Sequence, residues 1–289
     1  MSGARPILAA FTKIFPGVEV DQLIAAAHDC GIEGFDVCLR GGFPINPQNV
    51  GAKLPDACRR IRAAGLDVPM ISGEGGLLSP DDPTAVPILA AMDEAGVRLL
   101  KLGYYRFDPL TQNYWDEVGK ARKAMAGWEN LARRYHVKVC YHTHAGLMFC
   151  NCATLMHLLK DFDPQWIGAY IDPGHMRIEG EPFPLGTAIV SDCLCAVGLK
   201  DVALAREPKD GHGHAVASFG VSAGEGMVDW TEVFGVLGRL GFAGPLSVHC
   251  VVMAYAKVPP DRHAEYIRRE FEFFRRLRDG MGAKQEQRT

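Results

Sequence analysis

The sequence alternates eight times between a short apolar run of β-strand character and a longer segment with helical spacing of apolar residues. This alternation constrains the fold most, because strands separated by helices pair in parallel and are covered on both faces. The predicted strands are approximately 6–11, 34–38, 68–72, 98–103, 138–143, 167–172, 195–200 and 245–250. Such units predict a single (β/α)₈ TIM barrel of the α/β class, for which ~250 residues are typical.

The segments between the strands support this assignment. Helices are predicted at 20–30, 47–64, 113–135, 151–161, 229–240 and 261–278. Glycine stands where several helices must stop before the next strand, at Gly31, Gly65, Gly96 and Gly241. An open doubly wound sheet is the alternative, but no glycine-rich dinucleotide fingerprint follows the first strand. No linker divides the chain, so we expect a barrel domain over residues 1–280 and a polar C-terminal tail over 281–289.

Composition argues against several kinds of partner. The net charge is −3, whereas a protein that binds nucleic acid needs a clear basic excess. No apolar run approaches the ~20 residues of a membrane-spanning helix. The nine cysteines lie mostly in apolar segments, which predicts reduced thiols and a cytoplasmic protein. The alternative is a four-thiolate zinc site formed by Cys150, Cys152, Cys193 and Cys195. Only one residue separates the cysteines of each pair, whereas structural zinc sites usually have two to four, so buried thiols are favoured.

Histidines gather at the predicted carboxyl ends of the strands, where TIM barrels carry their active sites. His142 and His144 end the fifth strand and face the same way, because they have the same parity. His175 follows the sixth strand, and His249 ends the eighth. Asp172 ends the sixth strand. A lone histidine is usually a core or surface residue, but this group beside one carboxylate indicates a functional site.

Several phrases at these strand ends resemble the sugar phosphate isomerase/epimerase family of the xylose isomerase-like TIM barrel superfamily. The phrases extend from the second strand to the eighth: FDVCLRGGFPINPQNV, YHTHAG, YIDPGHMRIEG, GLKDVAL, GEGMVDW and GFAGPLSVH. The resemblance implies a divalent metal held by Glu, Asp, His and Glu from the last four strands. It also implies that acid–base groups move a proton between adjacent carbons of a sugar.

The chain departs from that family's ligand pattern. His142 and His249 stand where the family has glutamates, and Gly198 stands where it has a histidine. Asp172 matches. The remaining set of His142, Asp172 and His249 suits a divalent transition metal, so zinc, manganese, iron, cobalt or nickel is expected in preference to magnesium. The alternative is a metal-free pocket in which the histidines serve as acid–base or hydrogen-bonding groups.

Other polar residues at the strand ends are candidates for proton transfer and substrate binding. The predicted catalytic residues are His144, His175, Lys200 and Glu74. Lys200 faces the space above Gly198, and a structural ion pair with Asp172 is its alternative role. The predicted substrate-binding residues are Arg40, Lys101, Tyr104 and Asp201. We expect this mouth to pair with hydroxyl groups and to offer little apolar surface.

The expected function is a divalent-metal-dependent isomerase or epimerase acting on a small sugar, keto-sugar or cyclitol. A dehydratase acting on a similar polyol and a sugar-binding barrel without catalysis are the alternatives. The expected partner is a small hydroxyl-rich substrate, with neither nucleic acid nor membrane, and a homo-oligomer is compatible with the sequence. The glycine-rich segment after the seventh strand, which carries His212 and His214, is predicted to be a lid or a solvated loop.

Overall fold

The structure, a computed structural model, describes residues 5–208 and 214–281. Within these ranges the strands are β1 (Leu8–Phe11), β2 (Gly34–Cys38), β3 (Asp67–Ser72), β4 (Leu99–Lys101), β5 (Lys138–His142), β6 (Ile167–Ile171), β7 (Leu194–Leu199), β8 (Asp201–Pro208), β9 (His214–Val221) and β10 (Leu246–Val248). The α-helices are α1 (Val20–Cys30), α2 (Val50–Ala63), α3 (Ala85–Ala95), α4 (Tyr114–Tyr135), α5 (Cys152–Leu159), α6 (Pro173–Ile178), α7 (Phe183–Val190), α8 (Trp230–Leu240), α9 (Val252–Tyr255) and α10 (His263–Asp279). Short 3₁₀ turns cover Thr12–Ile14 and Pro260–Arg262.

Eight parallel strands form a closed barrel in the order β1-β10-β7-β6-β5-β4-β3-β2. β1 closes the barrel by pairing with β2 on one side and β10 on the other. The predicted TIM barrel is therefore confirmed, and each predicted barrel strand overlaps an observed one. In this cyclic order β2 lies opposite β6, and β1 lies opposite β5. This arrangement fixes which strand ends face each other across the mouth.

Two apolar clusters hold the barrel together. One lies among the barrel strands and consists of Met70, Leu99, Cys140, Tyr170 and Ala196, all of them buried. The other fills the space between the strands and the surrounding helices, and its largest fully buried side chains include Trp128, Phe271 and Phe274. Successive side chains of a strand point to opposite faces of the sheet. Because both faces of this barrel are covered, both sets of side chains are apolar, which explains the uninterrupted apolar runs.

Helix ends show how local sequence places the site. Gly31 and Gly241 end α1 and α8 in left-handed conformations, with φ of 70° and 62°, as the glycine pattern predicts. Asp172 lies at the N-terminus of α6, where its side chain accepts a hydrogen bond from the backbone N–H of His175 at 3.0 Å. Pro173 occupies the first turn, where its missing N–H costs nothing. The DPGH phrase thus turns the chain sharply at the barrel mouth.

The segment after β7 departs from the sequence prediction. β8 and β9 pair antiparallel from Asp201 opposite Val221 to Pro208 opposite His214, which makes this segment a β-hairpin outside the barrel. Its pattern is hard to recognise in the sequence because the outer part of β8 is exposed and lacks the apolar run of a buried strand. His212 lies outside the described residues.

Other expectations concern the chain as a whole. Among the described residues, no helix is long and apolar enough to cross a membrane. All nine cysteines are free thiols, as their apolar surroundings predict. The predicted tail lies outside the described residues after Met281.

Candidate active site and metal centre

A cavity of about 480 Å³ opens at the carboxyl ends of the barrel strands. All four predicted histidines line it, together with Lys200, Arg40 and Tyr104. The complete lining is Phe11, Lys13, Ile14, Pro16, Arg40, Tyr104, His142, His144, His175, Lys200, His249, Cys250, Val251, Met253, Ala254 and His263. The convergence that the sequence predicts is therefore present, in a volume suited to a small molecule.

Asp172 is the centre of this group, because its side chain is fully buried and three cationic or basic atoms surround its Oδ2 atom. Lys200 Nζ lies 3.6 Å from Oδ2, His142 Nε2 lies 3.7 Å from it and His249 Nδ1 lies 3.9 Å from it. His142, Asp172 and His175 also offer ligand atoms that all lie within 4.8 Å of one another. The strand ends thus bring together a His–Asp–His cluster.

Two atoms of this cluster are buried without a hydrogen-bond partner, Asp172 Oδ2 and His142 Nε2. His142 Nδ1 is 2.8 Å from the hydroxyl oxygen of Tyr104. When Nδ1 donates to that oxygen, Nε2 carries a lone pair, so two acceptors face each other across 3.7 Å. A divalent cation satisfies such a pair, and the residues present therefore fit a metal ion.

The other two imidazoles differ in which nitrogen is engaged. His249 Nε2 is 3.0 Å from the hydroxyl oxygen of Tyr170. When Nε2 donates its proton to that oxygen, Nδ1 carries the lone pair, and Nδ1 faces Asp172. In His175, by contrast, Nδ1 accepts the backbone N–H of Ala145 at 3.3 Å. Neutral His175 therefore carries its proton on Nε2, which contacts Lys200 Nζ and can donate to it only when Lys200 is a neutral amine.

Burial governs the protonation of the whole group. It lowers the pKa of His142 and His175 well below the ordinary range and lowers that of His249 to about 3, so these rings are neutral at physiological pH. Burial also lowers the pKa of Lys200, against the opposing effect of Asp172. For Asp172 itself burial acts to raise the pKa, but the Lys200 ammonium and the imidazoles outweigh it, and the pKa is lowered.

Small residues allow this close packing. A Cβ atom on Gly198 would lie 2.9 Å from Asp172 Oδ2 and 3.1 Å from the Tyr170 hydroxyl. A Cβ atom on Gly174 would lie 2.9 Å from the Lys200 Cγ atom. The absence of a side chain at Gly198 therefore makes room for Tyr170 and Asp172, and Lys200 lies beside the Asp172 carboxylate.

Tyr170 is a site residue that the sequence analysis does not identify. Its ring stacks on His142 with 4.1 Å between centroids, and its hydroxyl contacts His249. Tyr170 therefore contacts two of the predicted metal ligands. The available signal was its position two residues before Asp172 on β6, which places both side chains on the same face of the strand.

Three further predicted residues, His144, Tyr104 and Lys101, lie at different depths around the cavity. His144 is half-buried, its ring centroid lies 3.7 Å from that of His175, and its Nδ1 donates to the carbonyl of Ala145 at 2.9 Å. Tyr104 contacts both His142 and His144. Lys101 does not line the cavity but lies behind Tyr104, with Nζ 4.0 Å from the ring centroid, where burial lowers its pKa to about 7.

Two further predicted residues, Glu74 and Asp201, lie outside the cavity lining, as Lys101 does. Glu74 lies in a separate depression and accepts a hydrogen bond from the backbone N–H of Gly41. Asp201 is buried at the base of the hairpin and accepts hydrogen bonds from Gly224, Gly226 and other donors. Their carboxylates fix loop conformation, because each binds backbone donors and does not reach the cavity. The described hairpin residues, Asp201–Pro208 and His214–Val221, are likewise absent from the cavity lining.

The opposite wall of the cavity corrects the expectation of little apolar surface. Phe11 and Ile14 contribute apolar side chains there, and Val251 and Met253, which follow the strand that leads to His249, add further apolar surface. Phe11 lies between two polar groups, with 5.1 Å between its ring centroid and that of His249, and 5.8 Å between the centroid and Arg40 Cζ. The cavity therefore has one histidine-rich wall and one wall that is apolar and cationic.

Comparison with known proteins places this barrel in a family. The sequence model of the xylose isomerase-like TIM barrel matches residues 24–277, which is most of the chain. The chain belongs to the xylose isomerase-like TIM barrel family. This membership confirms the resemblance that the strand-end phrases carry.

Individual relatives are more distant. An inosose dehydratase from Lactiplantibacillus plantarum is 31% identical over 98 residues, which cover 34% of this chain and 31% of that protein. The match thus spans only about a third of the relative's length. An L-ribulose 3-epimerase structure superposes with a TM-score of 0.72 at 17% identity and covers 98% of this chain and 97% of that one.

Other solved structures of the same fold are also sugar epimerases. A 3-keto-D-glucoside 4-epimerase from E. coli has a TM-score of 0.70 at 15% identity and covers 94% of this chain and all (100%) of that one. A D-psicose 3-epimerase from Clostridium cellulolyticum H10, solved with D-tagatose, has a TM-score of 0.69 at 12% identity and covers 91% and 94% of the two chains. At these identities the similarity establishes the fold.

Proposed function

We propose that this protein is a divalent-metal-dependent isomerase or epimerase of a keto-sugar or a related polyol. The observation that carries the proposal is the pair of buried acceptors without a hydrogen-bond partner, His142 Nε2 in the cavity wall and Asp172 Oδ2 behind it, which lie 3.7 Å apart. The structural neighbours named as sugar epimerases support the same assignment. A divalent zinc, manganese, iron, cobalt or nickel ion, when bound, supplies Lewis acidity toward a substrate carbonyl.

The proposed ligands are His142 Nε2, Asp172 Oδ2 and His249 Nδ1. His175 is the competing third ligand, since it belongs to the compact His–Asp–His cluster. Its Nδ1 lone pair is engaged by the Ala145 N–H, however, and its Nε2 carries the proton in the neutral ring. A metal bound there would require loss of one of these arrangements, whereas His249 can offer Nδ1 while Nε2 donates to Tyr170.

Proton transfer is assigned to the residues beside this ligand set. His144 donates from Nδ1 to the Ala145 carbonyl, so Nε2 holds the lone pair, and burial lowers the pKa of the ring. We assign His144 as the base that accepts the proton from the carbon next to the substrate carbonyl. Lys200, whose pKa burial lowers, contacts His175 and is the second proton-transfer group. Tyr104 positions His142 through its hydroxyl.

Metal content and hydrogen exchange test this proposal together. Purified protein is loaded with each of the five metals, freed of excess ion, and analysed for metal stoichiometry. Each form is then incubated in D₂O with ketohexoses and inososes, and deuterium at the carbon next to the carbonyl is followed by NMR. We expect one metal per chain and deuterium incorporation that disappears in His144→Gln while metal stoichiometry is kept. The exposed His28 provides the matched control, and His28→Gln should retain both properties.

The same experiment separates the alternatives. The inosose dehydratase match favours dehydration as a second candidate function, and loss of water from an inosose without epimer formation would establish it. Sugar binding without exchange in any metal-loaded form would establish a barrel that binds but does not catalyse. His249→Ala should weaken metal binding more than His175→Ala does, and the reverse order would reassign the third ligand to His175.

A further inference from the structure

The charge distribution of the cavity indicates a substrate feature that the metal site does not explain. Each charged side chain in the lining is a cation, namely Lys13, Arg40 and Lys200, and no carboxylate is among the lining residues. Lys200 is offset by Asp172 directly behind it. Among the described residues, Lys13 and Arg40 form no ion pair. Two cations at the mouth are therefore without an ion-pair partner.

Arg40 also has an unsatisfied donor. Its Nε atom is buried and has no hydrogen-bond partner, while its guanidinium is held near the Phe11 ring. A buried N–H without an acceptor is costly, so an acceptor is expected to reach it when the cavity is filled. A guanidinium presents parallel N–H groups that match the two oxygens of a carboxylate.

Nearby buried charges do not remove this requirement. Asp36 is buried and accepts hydrogen bonds from Ser72 at 3.1 Å and Ser247 at 2.7 Å. Burial raises the pKa of Asp36 to about 6, against the opposing effects of Lys101 and Arg40, and burial lowers the pKa of Lys101 to about 7. Among the described residues no ion pair joins Asp36 to Arg40 or Lys13, so the guanidinium and ammonium groups can still bind a ligand.

The barrel topology puts these cations after strands that face β5 and β6. Lys13 follows β1 and Arg40 follows β2, and these strands lie opposite β5 and β6, which carry His142 and Asp172. A ligand that reaches both walls would place its anionic group at one end and its reacting carbons at the other. Phosphate groups in TIM barrels are usually held by the loops after the seventh and eighth barrel strands, so the position after β1 and β2 favours a carboxylate.

We propose that the substrate is a sugar acid whose carboxylate is held by Arg40 and Lys13 on the wall opposite Asp172. This inference rests on the proposed function in so far as the cavity is the substrate site. The apolar side chains beside Arg40, Phe11 and Ile14 among them, pack against the C–H groups of the same ligand. A neutral sugar would leave the Arg40 Nε donor without a charged acceptor.

Matched ligand pairs test the proposal without requiring turnover. Glucose, galactose and mannose are compared with glucuronate, galacturonate and mannuronate, and with the three hexose 6-phosphates, by thermal shift and by calorimetric titration. We expect a uronate to bind at least about 10-fold more tightly than its neutral partner, because a charge-assisted bidentate contact contributes on this scale. The preference should weaken as salt is raised, since Lys13 is exposed.

Variants identify the residues responsible. Arg40→Gln should abolish the preference for uronates, Arg40→Lys should restore part of it, and Lys13→Gln should reduce it less. Arg239, exposed at the end of α8, is the matched control, and Arg239→Gln should leave the preference unchanged. Melting temperatures of the ligand-free variants verify that each is folded.

The outcomes are distinct from those of the proposed function. Equal binding of neutral sugars and uronates, a preference confined to the phosphates, or a preference that survives Arg40→Gln would overturn the carboxylate proposal. Deuterium exchange into neutral keto-sugars, with no preference for uronates, would support the proposed function and refute the carboxylate site. Uronate binding that depends on Arg40, without hydrogen exchange in any metal-loaded form, would retain the anion site and refute the isomerase.

Discussion

Two aspartates that follow neighbouring strands of the barrel have opposite environments. Asp172 follows β6, is fully buried behind the cavity wall and leaves Oδ2 without a hydrogen-bond partner. Asp201 follows β7 and is also buried, but its carboxylate accepts hydrogen bonds from donors of the loop after the hairpin and from its own strand: the backbone N–H groups of Val202, Gly224, Gly226 and Val228, and the Trp230 indole.

The difference teaches how to distinguish a structural carboxylate from a functional one. Hydrogen bonds to a charged group typically contribute about 1.5–3 kcal/mol each, so a fully bonded carboxylate stabilises the fold. An acceptor that stays unpaired in a buried place costs stability unless a ligand completes it. Asp201 therefore holds the loop, whereas Asp172 is suited to bind a cation.

The largest expected effect is on folding, from Asp201→Ala. Removing this acceptor leaves several buried donors unpaired, and we expect a loss of at least about 4 kcal/mol in the free energy of unfolding. Urea unfolding followed by circular dichroism measures it. Asp21 is an exposed aspartate whose ion-pair partner is Arg60, so Asp21→Ala should cost less than about 1 kcal/mol. A small loss in Asp201→Ala would show that the loop does not depend on this carboxylate.

Asp172→Asn should affect metal binding and hardly affect the fold. The amide oxygen can still accept the His175 N–H, and Lys200, whose pKa burial already lowers, can lose its proton when the carboxylate is absent. We expect a change in unfolding free energy within about 1 kcal/mol for the metal-free protein. Affinity for zinc or cobalt should fall by more than about 100-fold, since one of three ligands is weakened. Titration of chelator-treated protein measures it, and unchanged affinity would remove Asp172 from the metal site.

Glu270 on α10 extends the comparison to a third buried carboxylate. It accepts the Ala223 N–H at 2.8 Å, and burial raises its pKa to about 7. The folded state thus binds more protons than the unfolded state between the ordinary glutamate pKa and about 7, so stability falls as pH rises through that interval.

Glu270→Gln should therefore be more stable than the unaltered protein at pH 8, by about 2 kcal/mol, with the difference closing toward pH 4.5. Unfolding free energies measured across this range check the sign. A difference independent of pH would mean that packing, and not the ionisation of Glu270, determines the effect. Asp21→Asn is the exposed control, for which the difference should stay near zero.

Much of this fold could be predicted because its signals are local. Each predicted barrel strand overlaps an observed one, since an apolar run between helical segments is recognisable without knowing its neighbours. The hairpin was not predicted because β8 and β9 pair with each other in a separate two-stranded sheet outside the barrel and lack the apolar runs of buried strands. The histidines could be placed at one mouth because parallel strands bring their carboxyl ends to one end of a barrel.

The roles of individual side chains could not be predicted in the same way. Asp172 and Asp201 occupy similar positions in sequence, and the donors that distinguish them come mostly from residues 224–230, far along the chain from Asp201. Glu74 likewise follows β3 but turns to the backbone of Gly41. Position after a strand predicts which end of the barrel a residue occupies, and does not predict its hydrogen-bond partners.

The sequence by itself thus determined the barrel, its family and the gathering of histidines and Asp172 at one end, because hydrophobic periodicity and parallel topology act through neighbouring residues. Only the tertiary structure decided that Tyr170 contacts both His142 and His249, that Lys200 contacts His175 and that Arg40 Nε is buried without a hydrogen-bond partner. These contacts connect residues from different strands, and their energies depend on burial and on which donors are already engaged, which emerge only when the barrel closes.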